Sequence, residues 1–167
     1  MRTVLLHRPG GPEVLEVVER PLPAPGSADV LIRTKAMAVS RPDVLIRKGV
    51  YTWMPPLPAS PGNELTGVVE AVGDGVQTLR VGQAVLLSAR DLPVRGGCYT
   101  DAICVPADAA YPLPDGIDFD QAVVLPSHLV AYAMLHDMGL LQQGVRSIFV
   151  TGAAGSCLLY TSDAADE

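Results

Sequence analysis

The chain has 167 residues, 49% of them hydrophobic, and a mean hydropathy of +0.28, so it carries enough apolar content for a real core and too much for a disordered chain. Its formal charge of −6, with 12 Lys and Arg residues scattered along it, argues against nucleic acid as a partner, because phosphate binding needs a basic patch. No apolar run approaches the roughly 18 residues of a membrane span, and the N-terminal MRTVLLHRPGG has too short an apolar core for a secretory signal, so no membrane association and a cytoplasmic location are expected.

Residues 14–18 and 30–36 are β-branched or apolar and are separated by ERPLPAPGSAD, which reads as two strands joined by an extended loop. After Ser40, Arg41, Pro42 and Asp43, residues 44–48 have the character of a short helical turn ended by Gly49, with Asp43 placed to cap or orient it. Residues 50–61 contain Pro55, Pro56, Pro58 and Pro61 beside Tyr51 and Trp53. Such a proline-stiffened loop can hold aromatic rings over a cavity, or simply cover the end of a barrel.

Residues 65–71 alternate as a strand, Gly73 to Gly75 offers a turn tolerant of positive φ, and residues 81–87 give the next strand. A further strand, AICVPA, is entered from Gly96 and Gly97. Short strands with turns at this spacing predict a small closed β-barrel. The pattern then becomes helical over residues 118–138, with an acidic start, Gly139 near its end, and Pro126 expected to break it into two helices. Residues 147–150 read as a buried strand, followed at once by TGAAGS. Cys98, Cys104 and Cys157 are an odd number with no CxxC among them, so reduced thiols are expected rather than a disulfide framework or a zinc knuckle.

Five segments together carry a family resemblance: GGPEVLEVVERPLPAPGSADVLIRTKAMAVS, RPDVLIRKGVYTWMPPLPASPGNELTGVVEAVGDGV, GGCYTDAICVPAD, LPDGIDFDQAVVLPSHLVAYAML and VTGAAGS. In this order they resemble the medium-chain dehydrogenase/reductase superfamily, within it the zinc-independent quinone oxidoreductase branch. The resemblance implies a mixed α/β chain: a GroES-like β-barrel catalytic domain over residues 1–117, linker helices over 118–146, and over 147–156 only the first strand of a truncated Rossmann domain that binds NADPH. In relatives the active site lies in the cleft between the two domains, and the full-length protein is expected to form a homodimer.

Gly152, Ala153, Ala154 and Gly155 are the expected cofactor-binding step, since glycines let the backbone approach a pyrophosphate at a helix N-terminus. His128 and Val130 align with the linker region that touches nicotinamide in relatives, although a histidine on a helix also serves purely structural ends. Zinc-dependent members have a cysteine and a histidine where this chain has Ser40 and Asn63, the latter followed by Glu64. Neither Ser40 nor Asn63 is a competent zinc ligand, so no metal is expected. Hydride transfer without a metal needs an acceptor that is already electron-poor, a quinone or an enone. Tyr51 is the residue expected to orient that acceptor or donate a proton to it, with Ser40, Asp43 and Asn63 lining the cleft. The VGQAV step replaces a charged pair of relatives with Gln83 and Ala84, at a small expected cost.

Two other readings stay open: a 2-enoyl-thioester reductase of the same superfamily, with acyl-chain room behind Tyr51, and a non-catalytic GroES-like binding module. Leu158 stands where the fingerprint has its third glycine, and residues 157–167, CLLYTSDAADE, back-translate as read-through of a sequencing-library adapter. They are expected to be an artefactual tail. Half of the net charge, from Asp163, Asp166 and Glu167, belongs to it. The fragment by itself is expected to be inactive.

Overall fold

A computed structural model describes residues 1–139, 141–144, 146, 147 and 149. The chain divides into two compact units, Met1–Val123 and Val124–Glu167. All strand pairings of the first unit are antiparallel. Strand β1 (Arg2–Leu6) pairs with β2 (Leu15–Glu19), and a second sheet has the order β6-β3-β4-β5-β7, built from β3 (Asp29–Met37), β4 (Glu64–Val72), β5 (Ala84–Ser88), β6 (Ala102–Pro106) and β7 (Ala110–Pro112). Isolated bridges from Thr3 to Thr100 and from Leu6 to Ala59 tie the hairpin to the loops of the larger sheet.

The long strands β3 and β4 form the centre, and their pairing slips at Leu31/Ile32 and between Thr34 and Ala36. Such irregularities bend a strand and increase its twist, which curls the sheet around its core. Val30, Ile32, Leu65, Val69, Val85 and Leu87 fill the inside of the curl, and Cys98 is buried among them. The predicted closed barrel is therefore a curled half-barrel among the described residues. Closure requires the first and last strands to pair, whereas β6 and β7 stand at opposite edges and β7 is only three residues long.

Two turns differ from expectation for a physical reason. Neither Gly73 nor Gly75 has a positive φ. Gly73 is needed because a side chain there would strike the carbonyls of Gly26 and Ser27, while its N–H donates to the Asp29 carbonyl at 2.9 Å. The left-handed residue is instead Gly82, and β5 starts at Ala84 rather than at residue 81. Gln83 braces that turn, its Oε1 accepting from the Arg80 N–H at 3.1 Å, so a neutral side chain does locally what a charged pair was expected to do.

Helix α1 (Arg41–Arg47) begins three residues earlier than its apolar pattern, because Ser40 at the N-cap and Pro42 in the first turn suit a helix start, and Gly49 at φ 72° ends it. Helix α2 (Phe119–Ala122) is capped by Asp118, which accepts from the Gln121 N–H at 2.9 Å, and Thr66 on β4 donates to the Phe119 carbonyl at 2.9 Å. That bond pins α2 to the sheet and carries the first unit to Val123.

In the second unit, Pro126 lies in the first turn of α3 (Leu125–Tyr132), so it opens a helix where its missing N–H costs nothing. The helix continues as a π-type turn over Ala133–Asp137, where the Tyr132 and His136 rings stack at 4.3 Å, and Gly139 follows at φ 69°. Of the expected buried strand 147–150, Ser147 and Phe149 are described, neither is in a strand, and Phe149 is 90% exposed. A strand needs a neighbour to satisfy its ladder. Residues 148 and 150, the cofactor step Gly152, Ala153, Ala154 and Gly155, and the tail 157–167 with Cys157 and Leu158 lie outside the described residues. Among the described residues no helix is long and apolar enough to cross a membrane.

Candidate functional site

Three of the residues singled out in the sequence meet at one carboxylate. Asp43 Oδ2 accepts from the Ser40 N–H at 2.7 Å and from Ser40 Oγ at 2.8 Å. Its other oxygen, Oδ1, accepts from the Gly62 N–H at 3.1 Å and from Asn63 Nδ2 at 2.8 Å. Asp43 is 4% exposed and Asn63 3%, so both are buried, while Ser40 is half-buried. It clasps the start of α1 to the turn that leads into β4. Because a carboxylate only accepts, it fixes the hydroxyl rotor of Ser40 and the amide orientation of Asn63.

Local sequence explains the clasp. Ser40 and Asp43 have the spacing at which an acidic side chain in the first helical turn reaches back to the N-cap backbone. Gly62 stands at φ 99°, and a Cβ there would meet the Tyr99 ring and backbone at 2.5 and 2.6 Å, so only glycine lets its N–H face Asp43. The Asn63 carbonyl accepts from the Ala89 N–H at 2.6 Å, which joins the turn to the end of β5.

The clasp perturbs its neighbours. Burial first, then repulsion from Asp43, pushes the Glu64 carboxyl up to about 7, with Arg90 pulling the other way. Glu64 is thus a group near the clasp that changes charge around neutrality. The Cys98 thiol is pushed up by burial and by the charges of Glu64 and Asp43, which makes it inert as a nucleophile. Tyr99 is likewise pushed up, by burial and then by Asp43. Its buried hydroxyl makes no hydrogen bond of good geometry, although it feels the Asp43 carboxylate.

Tyr51 belongs to a different cluster. Its ring packs beside Leu6, Val14 and Ile46 and meets Trp53 edge-on, at 5.7 Å between centroids and 69° between planes. Its hydroxyl accepts from Arg95 Nη1 at 3.3 Å, and the same guanidinium lies 4.5 Å from the Trp53 ring centroid. Trp53 is nonetheless 59% exposed. Among the described contacts no hydrogen bond joins Tyr51 to Ser40, Asp43 or Asn63.

His128 and Val130 lie on α3 in the second unit. A carbonyl only accepts, so the 3.0 Å contact between His128 Nδ1 and the Val124 carbonyl places the hydrogen on Nδ1. Val130 is 46% exposed.

Arg95 was not anticipated from sequence. It precedes the Gly96-Gly97 pair by one residue, and nothing local marks it; only the fold brings it to a tyrosine 44 positions earlier. Metal fit can be judged from the clasp. Ser40 offers a neutral hydroxyl and Asn63 a neutral amide, both already hydrogen-bonded to Asp43, and neither is among the thiolate, imidazole and carboxylate groups that bind zinc, so the pair fits zinc poorly.

Residues 26–115 match the family model of the alcohol dehydrogenase GroES-like domain. The chain is 34% identical over 158 residues to the human synaptic vesicle membrane protein VAT-1 homolog, an alignment covering 93% of this chain and 39% of that protein. It is 35% identical over 164 residues to the quinone oxidoreductase of Rattus norvegicus, covering 96% and 48%. Among solved structures it is similar to the Escherichia coli quinone oxidoreductase complexed with NADPH, with a TM-score of 0.73, 32% identity, and coverage of 83% of this chain and 41% of that one. The chain thus spans less than half the length of the relatives it matches.

Proposed function

Given that this chain belongs to the alcohol dehydrogenase GroES-like domain family of the medium-chain dehydrogenase/reductase superfamily, we propose that its whole protein is an NADPH-dependent reductase of quinones or enones that uses no metal. The observation that carries this reading is the spending of Ser40 and Asn63 on Asp43, at the two positions where zinc-dependent relatives have ligands. NADPH, when bound, supplies the hydride, and Gly152 to Gly155 are the residues that would hold its pyrophosphate. His128 and Val130 are proposed to border the nicotinamide.

The residues of the half-barrel then have two tasks. Arg95 can only donate, so the Tyr51 oxygen accepts from it and the phenolic proton stays free to be given elsewhere. Tyr51 is proposed to use that proton to orient an acceptor carbonyl and, as electrons arrive, to hydrogen-bond the oxygen on which charge builds. The clasp does no proton transfer, because the carboxylate of Asp43 is already filled by four donors. It holds the wall of the site rigid.

The test is NADPH oxidation by the whole protein with a naphthoquinone, before and after dialysis against a chelator. Unchanged turnover supports the reading. Loss on chelation that zinc restores overturns it.

A further inference from the structure

Arg95 spends one N–H on Tyr51 and has further donors to give. Among the described residues the ion pairs are Arg2–Asp101, His7–Glu16 and Arg33–Glu70; Arg95 has no carboxylate partner. It is half-buried, it lies over the Trp53 ring, and one of its five N–H groups is given to Tyr51. A guanidinium held over a ring face is fixed by that cation–π contact, which leaves its other N–H groups available to a ligand. Arg95 also borders a cavity of about 450 Å³, whose other walls include Pro55, Pro56, Leu92, Pro93 and Ile103. Those walls are mostly apolar, with Ser60 and Cys104 also among them, and Arg95 is the residue that joins the cavity to Tyr51 and Trp53. A mostly apolar cavity beside a fixed, unneutralised cation suits a ligand with a hydrophobic body and one anionic end.

We propose that Arg95 is a specificity-determining residue that selects acceptors bearing an anionic substituent, a carboxylate or sulfonate, next to the planar ring system presented to Tyr51. The inference rests on the acceptor-site reading of Tyr51 given above. Trp53 and Tyr51 hold the guanidinium in place, and the free in-plane donors receive the anion. Lysine would supply the charge but not the planar fork of donors, so it should serve less well.

The chain carries its own reporter, because Trp53 is its single tryptophan and any change in tryptophan fluorescence is local to Arg95. The purified 167-residue chain is titrated with a neutral hydroxymethyl anthraquinone and with an anthraquinone sulfonate, whose fused rings leave no quinone carbon open to thiol addition. We expect saturable quenching by both, with the sulfonate bound roughly fivefold more tightly at low ionic strength and the advantage shrinking as salt is added. Arg95→Gln should abolish the difference, and Arg95→Lys should retain part of it. Equal affinities in the wild type, or a preference unchanged in Arg95→Gln, overturn the proposal.

The arms separate the two readings. Saturable binding of the neutral ring without any Arg95-dependent preference removes the anion selectivity and leaves the acceptor site standing. Arg95-dependent binding of the sulfonate, with no binding of the neutral ring, does the reverse. No quenching by either compound sinks both on this chain.

Discussion

The clasp around Asp43 and the cluster around Arg95 are both built from polar groups on loops of one half-barrel, yet they are opposites in how those groups are satisfied. At the clasp, one carboxylate receives four hydrogen bonds and is buried. At Arg95, a cation keeps most of its donors unspent beside an aromatic ring that is largely exposed. A saturated buried network specifies structure, because any change leaves a group unpaired at a cost of about 1–3 kcal/mol. An unsaturated one at the surface has capacity left for a ligand. The contrast assigns scaffolding to the first and recognition to the second.

The sharpest way to break this contrast is to remove the carboxylate. Asp43→Ala strands the donors of Gly62 and Asn63 in a buried site and should cost about 3–4 kcal/mol of stability, read as a lower urea midpoint. Next comes Gly62→Ala, which forces a side chain into a left-handed backbone position against Tyr99. It should cost about 2–3 kcal/mol in the same measurement.

Glu64 sharpens the comparison through pH. Its folded pKa of about 7 lies above the ordinary 4.5, so between those values the folded chain holds a proton that the unfolded chain has released. Stability should therefore fall as pH rises through that window and stay at the lower level above it. Glu64→Gln should flatten this dependence and, at alkaline pH, recover up to about 2 kcal/mol once solvent screening is allowed for. Denaturation midpoints measured from acid to alkaline pH would show it, and a midpoint rising through the window would contradict it. The smallest expected effect on stability is Tyr51→Phe, under about 1 kcal/mol, since it removes one half-buried hydroxyl with a long hydrogen bond.

The sequence exposed one of the two clusters far better than the other. Ser40 and Asp43 are three residues apart in a helix-start pattern, and Asn63 follows a Pro-Gly turn, so each was legible locally even though their meeting point was not. Tyr51 and Trp53 stood out on a proline-rich loop. Arg95 did not, because an arginine in a loop has no pattern of its own and its meaning comes from a contact made by the tertiary fold. The same division holds for the fold. The positions of β2 to β6 followed from alternation and turns, β1 and β7 were missed, the open half-barrel depends on which distant strands pair, and the need for glycine at Gly73 lies in the carbonyls of Gly26 and Ser27, more than forty positions earlier. Strand 147–150 was read from apolar content and from the resemblance; of its residues only Ser147 and Phe149 are described, and neither is in a strand.

The division of labour between the two clusters is tested most directly by measuring urea midpoint and anthraquinone quenching of Trp53 on the same two variants, Asp43→Asn and Tyr51→Phe. We predict that Asp43→Asn lowers the midpoint while its folded fraction binds the ring with near wild-type affinity, and that Tyr51→Phe keeps the midpoint and weakens binding severalfold. Equal losses of stability and affinity in both variants would contradict the separation of scaffold from recognition.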